Sequence, residues 1–260
     1  LTVSQIEQKM LMATAGGNPP DVAGLYAADV NIFADKNALR PLDDYIREAG
    51  IQPSDYIPCY WELCRYRGRT WALPSTPATD ALHWNRRMFR EAGLDPDRPP
   101  RTIEELDAYS KRLTKRDATG HITQMGFMQA EPGWWNYGWG YWFGGHLWDG
   151  HSRITANSPE NIHAYRWVQS YSQAYGPSAL QLFRSGFGNF SSPQNAFLDE
   201  KVAMVLQGVW MYNFISKYNP KLDWAAAPFP YPADRPDLKF STNADEDILS
   251  IPTGARHPRE

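Results

Sequence analysis

The sequence of 260 residues predicts an α/β fold, and three observations carry that expectation. Short apolar segments of strand length alternate along the chain with longer segments whose apolar residues recur at helical spacing. Breakers and caps separate them, from Gly16-Gly17-Asn18-Pro19-Pro20 to Ser158-Pro159. Alternation of this kind sets helices against sheets whose neighbouring strands run parallel.

Taken in order, residues 4–15 place Ile6, Met10, Leu11 and Ala13 at helical spacing and stop at the Gly-Gly-Asn-Pro-Pro breaker. Residues 21–25 read as a short buried strand, residues 32–39 suit a helix, and another helix opens at Pro41. Residues 66–74 predict a hairpin with Gly68 in its turn, 81–84 a strand, and 86–92 a short helix ended by Gly93. Thr102 is an N-cap with Glu105 three residues on, a capping box, and Ile103, Leu106, Tyr109, Ser110 and Leu113 form the inward face of the helix that follows. A strand is expected at 123–128, then a Gly- and Trp-rich stretch reaching Trp148. Ser158 followed by Pro159 opens a helix to about Tyr175. Residues 194–198 read as helical, 202–206 as a strand and 210–216 as a helix. Strands are expected at 223–228 and 247–251, with a Pro-rich loop between them.

Composition narrows the function classes. Hydrophobic residues make up 42% and charged residues 21%, ordinary for a globular protein. A net charge of −3 argues against a nucleic-acid partner, whose phosphates call for clustered Lys and Arg. No apolar run approaches the roughly 18–20 residues that span a bilayer. Eleven Trp, fourteen Tyr and eleven Phe make the chain 14% aromatic. Trp offers a flat apolar face and an N–H that wants a partner, which suits stacking on a flat ligand rimmed by hydroxyls; an aromatic-rich core fits the composition equally well. Cys59 and Cys64 have no further ligands at metal-binding spacing and are expected as free thiols rather than as a local disulfide. His83, His146, His151 and His163 are scattered without an HExxH pattern, and no P-loop, nucleophile elbow or dinucleotide fingerprint occurs. Neither a metal nor a cofactor is expected.

Four groups of segments carry a family resemblance. They are Ala15-Gly16-Gly17-Asn18-Pro19-Pro20-Asp21-Val22; Leu82-His83-Trp84-Asn85 with Phe89, Ala92-Gly93-Leu94 and residues 99–106; residues 197–204 with Gly208-Val209-Trp210; and Ile248-Leu249-Ser250-Ile251-Pro252 with Gly254-Ala255-Arg256-His257-Pro258. In this order the chain resembles the family 1 extracellular solute-binding proteins, the group that contains maltose-binding protein. The resemblance implies a periplasmic-binding-protein-like fold: two α/β lobes joined by crossing hinge strands, with ligand in the cleft between them. Residues 1–79 would form the first lobe, 80–245 the second with a crossing strand at its start, and 246–260 the return crossing. Because family members extend beyond both ends of the match, the chain is expected to be an internal piece of a longer protein. The resemblance also implies a place in the periplasm or, through a lipid anchor, on the cell surface, and delivery of the ligand to the permease subunits of an ABC importer. A monomer is expected.

The same resemblance singles out ligand residues. Glu131-Pro132-Gly133-Trp134-Trp135-Asn136 is similar to the family's Glu-Pro-aromatic segment, where the carboxylate accepts sugar hydroxyls and a ring stacks on the pyranose; either Trp134 or Trp135 fits the stacking role. Trp210, two residues after Gly208, would be a second stacking ring, with Asn213 on the same helix face. In the first lobe Tyr26 and Asp29 follow the predicted strand. Asp80 on the crossing strand fits a ligand acid or a structural salt bridge equally well. The trio Asp245-Glu246-Asp247 reads as a solvated turn, with Asp245 within reach of the cleft. Such a set suits a neutral sugar, whose C–H faces stack on rings while its hydroxyls need oriented partners. Trp134, Trp135, Trp139, Trp142 and Trp148 together point to more than one ring, hence an oligosaccharide. A polyol phosphate is the alternative, and it would call for converging Arg or Lys. A glycosidase is a further alternative needing two carboxylates at fixed separation, about 5–5.5 Å or 6.5–9.5 Å, which a closing cleft does not hold constant.

Overall fold

The computed structural model describes residues 5–131 and 134–260, the side chains of Trp134 and Trp135 excepted. The chain forms two compact units, Leu1–Thr79 with Ala244–Glu260, and Asp80–Asn243.

The first unit is built on a three-stranded arrangement. β9 (Ala244–Ser250) lies between β1 (Ala23–Tyr26) and the first part of β4 (Ala72–Asn85), antiparallel to both. Glu246, Ile248 and Ser250 of β9 point inward, the period of two that a half-covered sheet imposes. Around the sheet lie α1 (Ile6–Ala15), α2 (Val30–Asp35), α3 (Asp43–Ala49) and α4 (Pro58–Leu63). Met10, Leu25, Val30, Phe33, Leu39, Cys64 and Ile248 are among the residues of its core. The helix expected at 32–39 begins earlier and ends sooner: Asn37 adopts a left-handed conformation with φ 52°, and its neighbour Ala38 closes the turn onto Phe33. The predicted hairpin is tighter than expected, with β2 (Arg65–Tyr66) and β3 (Arg69–Thr70) joined through Arg67 and Gly68, both at positive φ. Its apolar tail instead starts β4, a 14-residue strand. Pro74 and Pro77 hide that continuity in the sequence; the strand tolerates them with a register shift between Pro74 and Thr76.

β4 continues into the second unit, where its last residues pair antiparallel with β7 (Val202–Gly208) and β8 (Trp224–Ala227). β7 pairs parallel with β6 (Ile122–Phe127), and β6 antiparallel with the two-residue β5 (Lys115–Arg116). Among the described strands, β6 and β7 are thus the parallel neighbours; β4 and β9 run counter to their partners because the chain leaves and re-enters the first unit through them. α5 (Arg86–Glu91), α6 (Ile103–Leu113), α7 (Pro159–Tyr175), α8 (Pro177–Arg184) and α9 (Met211–Tyr218) complete this unit.

Local sequence explains the principal helices. Thr102 Oγ1 accepts from Glu105 N at 3.2 Å, and Ile103, Leu106, Ser110 and Leu113 of α6 are buried. The second arm of the capping box falls one residue early, on Arg101 N at 2.8 Å. α7 starts at Pro159 behind the Ser158 cap and ends at Tyr175. Trp167 and Tyr171 on its inner face donate to Asp107 of α6, at 3.0 and 2.7 Å. The segment at 194–198, expected to be helical, is a chain of turns. Asn195 is the reason: its buried side-chain oxygen accepts from Phe197 N and Leu198 N, a local alternative to helical hydrogen bonding.

Much of the aromatic content lies in this unit's core. Phe127, Trp139, Trp142, Phe143, Trp167, Tyr171 and Phe229 form one cluster, with Trp139 fully buried and Trp142 nearly so. Trp139 and Trp142 are therefore packing residues rather than further sugar platforms, while Trp148 is half exposed. Both cysteines are free, Cys59 exposed and Cys64 buried.

Candidate functional site

In the second unit Glu131 and Trp210 follow the carboxyl ends of β6 and β7, and Asp80, within β4, lies opposite the end of β7. β6 and β7 run side by side in the same direction, so the chain leaving β6 toward Glu131 and the chain leaving β7 toward Trp210 do so at their carboxyl ends. Asp80 on β4 pairs with Gly208 at the end of β7. A Cβ on Gly208 would come within 2.6 Å of the Trp210 ring, so the indole lies against the bare glycine. Asp80 and Trp210 are thus gathered at one backbone position. The indole N–H donates to Gln207 Oε1 at 2.9 Å and the ring meets Phe190 edge-on, which fixes the half-buried ring at the start of α9. Asp80 is buried, and its backbone is tied to Thr242 in both directions, N to Oγ1 at 3.1 Å and Oγ1 to O at 2.8 Å. Asn213 lies exposed on α9, one turn after Trp210.

Glu131 closes a turn onto Met128, N to O at 3.0 Å, and is only 5% exposed. Burial raises the affinity of its carboxyl for a proton, and the guanidinium of Arg184 opposes that rise. The Arg184 Nε to Glu131 Oε2 distance is 3.8 Å. The backbone of Trp134 and Trp135 lies in the 3₁₀ turn Trp134–Tyr137, directly after the Glu131 turn; their side chains, and Pro132 and Gly133, lie outside the described residues.

In the first unit Tyr26 ends β1 opposite Asp247 of β9, and Asp29 accepts from Tyr26 N at 3.1 Å. Asp29 is buried and its carboxyl is pushed up by that burial, with the Tyr26 N–H acting against it. Burial first, then Asp247, Asp29, Glu7 and Asp245, hold the Tyr26 hydroxyl above its usual value, so these groups share one acidic neighbourhood. Asp29 therefore has a turn-holding role alongside any contact with a ligand.

The trio read as a solvated turn is strand, and Glu246 in its middle is 1% exposed. Cys64 Sγ donates to its Oε1 at 3.4 Å, while Oε2 has no hydrogen-bond partner among the described residues. Burial and then Asp245 push the carboxyl up, against the Cys64 hydrogen bond, to about 7 from an ordinary 4.5. The folded state therefore holds this proton more tightly than the unfolded chain. The stability so contributed is fully present below about pH 4.5 and is lost as the pH rises through about 7. Glu246→Gln, which stays neutral, is expected to match the parent at pH 4 and exceed it by about 3 kcal/mol at pH 8 in urea denaturation. Parallel pH profiles for the two proteins would contradict this account of the burial.

Two groups escaped the sequence reading. Gln207 orients Trp210 from a position just past the strand expected at 202–206, and β7 extends to include it. Arg184 sits at the end of α8, a helix whose start at Pro177 is masked by its proximity to the end of α7. Pro177 after Gly176 is the signal for α8.

The family described as bacterial extracellular solute-binding protein matches residues 2–260. A solved structure, CpMnBP1 with mannobiose bound, is 33% identical with a TM-score of 0.86, covering 96% of this chain and 62% of that one. The sn-glycerol-3-phosphate-binding periplasmic protein UgpB of Shigella flexneri is 31% identical over 123 residues, which are 45% of this chain and 27% of UgpB. The maltose/maltodextrin-binding domain MalE of Bdellovibrio bacteriovorus, bound to maltotriose, shares the fold at 16% identity and a TM-score of 0.78. The chain spans less than two thirds of the length of each of these relatives.

Proposed function

This chain belongs to the bacterial extracellular solute-binding proteins, and from that premise we propose that it captures a neutral oligosaccharide outside the cytoplasmic membrane and delivers it to the permease subunits of an ABC importer. The observation that supports the proposal is that Glu131 and Trp210 follow the carboxyl ends of adjacent parallel strands. A buried carboxylate accepts hydroxyls strongly, and an indole fixed by Gln207 offers a rigid face for a pyranose. The likeness to a mannobiose-bound protein at 33% identity supports a mannose-containing ligand. The role is binding rather than catalysis. Trp134 or Trp135, Asp80 and Asn213 in the second unit, and Tyr26 and Asp29 in the first, complete the proposed ligand set.

The match to UgpB favours a second reading, a polyol phosphate. A phosphate needs cations to spare, and the cation beside Glu131 already faces a carboxylate, so the neutral sugar is preferred. Calorimetric titration of the whole protein with mannobiose, mannotriose, maltose and glycerol 3-phosphate separates the two. Saturable heat from an oligosaccharide and none from glycerol 3-phosphate is the expected result; the reverse would replace the sugar reading with the phosphate one.

A further inference from the structure

Glu131 presents a physical problem that the ligand reading leaves open. A carboxylate that is 5% exposed loses most of its hydration, and burial alone drives it toward the neutral acid. A neutral acid retains an acceptor oxygen but forgoes the stronger charge-assisted hydrogen bond to a hydroxyl. The countercharge comes from α8. That helix packs its apolar residues Ala179, Leu180 and Phe183 on the cluster of Met125, Met128 and Val202, with Ala130 against the same cluster. Phe183 is locked in turn by an edge-to-face contact with Phe187 at 4.8 Å between ring centres. The helix is therefore seated on the strand end and turn that lead to Glu131, and its last residue, Arg184, brings its Nε to 3.8 Å from the carboxylate. Arg184 is 43% exposed while Glu131 is 6% exposed at the side chain, so the arginine keeps its own hydration and gives its field to the buried partner.

We propose that Arg184 is a positioning residue for ligand binding: seated by α8, it supplies the countercharge that keeps the buried Glu131 carboxylate charged and oriented for a ligand hydroxyl. This rests on the reading of Glu131 as a sugar acceptor. It assigns the guanidinium a role through Glu131 and makes α8, an outer helix, part of the site. The effect depends on pH. Among the described residues Arg184 is the charged group that acts on Glu131, and without it the carboxyl takes up its proton at a higher pH.

The test uses the whole protein and has two arms. In the ligand-free arm, carbon-detected NMR follows the Glu131 carboxyl through a pH titration in the parent, Arg184→Gln and Arg184→Lys. The expected result is a clear upward move of the Glu131 midpoint in Arg184→Gln, largely restored by Arg184→Lys. An unmoved midpoint overturns the proposal. In the second arm, affinity for mannobiose, or for whichever oligosaccharide binds the parent most tightly, is measured from pH 5 to 8. Arg184→Gln is expected to lose affinity about tenfold toward the acid end and less at pH 8, with Arg184→Lys near the parent. A uniform loss at every pH would mark Arg184 as a direct ligand contact and overturn the positioning role. If the midpoint moves but Glu131→Gln binds sugar as the parent does, the sugar reading of Glu131 fails and the proposal falls with it; an unmoved midpoint with Glu131→Gln unable to bind defeats the proposal alone.

Discussion

Gly126→Ala is expected to destabilise the protein by about 3 kcal/mol, the largest stability effect of a single methyl group anticipated here. Gly126 lies on β6 where α6 crosses it, and an added Cβ would come within 2.6 Å of the Ser110 carbonyl carbon. The obstacle is backbone, so no rotamer change relieves it. Either α6 lifts from the sheet or β6 shifts, and both movements disturb Phe127, which packs against Trp139, Trp167, Tyr171 and Phe229. Gly126 N also donates to Thr114 Oγ1 at 3.0 Å just beyond α6, a contact that fails with the same displacement. Gly24→Ala on β1 is the control: among the described residues no atom lies within 4 Å of its added Cβ, and its effect is expected within about 0.5 kcal/mol. Urea denaturation of both variants checks the pair, and equal midpoints would contradict the close approach of α6 to β6.

Trp210→Ala is expected to weaken oligosaccharide binding at least tenfold, about 1.4 kcal/mol or more, with a smaller loss of stability because the ring is only half buried. Gly208→Ala is expected to reach a comparable loss of affinity without removing any ligand-contacting atom. Its Cβ collides with the indole and turns the ring away from the position set by Gln207 and Phe190. Gln207→Ala, which removes the acceptor that the indole N–H meets at 2.9 Å, should fall between the parent and Trp210→Ala. Calorimetry with the preferred sugar orders the three. Full affinity in Gly208→Ala would show that the observed ring position is not the one that meets the ligand.

Residue by residue, the sequence was most legible where local chemistry acts alone. Ser158-Pro159 opens α7 and Thr102 caps α6, both read off neighbouring residues, whereas in β9 the buried Glu246 and exposed Leu249 invert what residue type suggests and the acidic trio reads as a turn. Legibility failed where a side chain or a distant segment overrides the local pattern. Asn195 turns a helical-looking stretch into turns by satisfying the backbone itself, and the prolines of β4 conceal a long strand that β9 supports across the register shift. At the candidate site, Trp210 and the glycine beneath it are close in sequence and were visible. Arg184 and Glu131 are brought together by the packing of α8 on the β6 end, which no spacing along the chain encodes. Trp139 and Trp142 illustrate the converse. Their type suggested a sugar platform, and the aromatic core of the second unit claims them instead.

In the proposed function this chain's aromatic and acidic groups bind an unmodified oligosaccharide. Intrinsic tryptophan fluorescence of the whole protein, titrated with mannobiose and mannotriose and repeated in Glu131→Gln, tests it most directly. A saturable change in the parent that disappears or shifts to much higher sugar concentration in Glu131→Gln is the predicted result. A folded parent whose fluorescence responds to no oligosaccharide, or a response unchanged in Glu131→Gln, would contradict it.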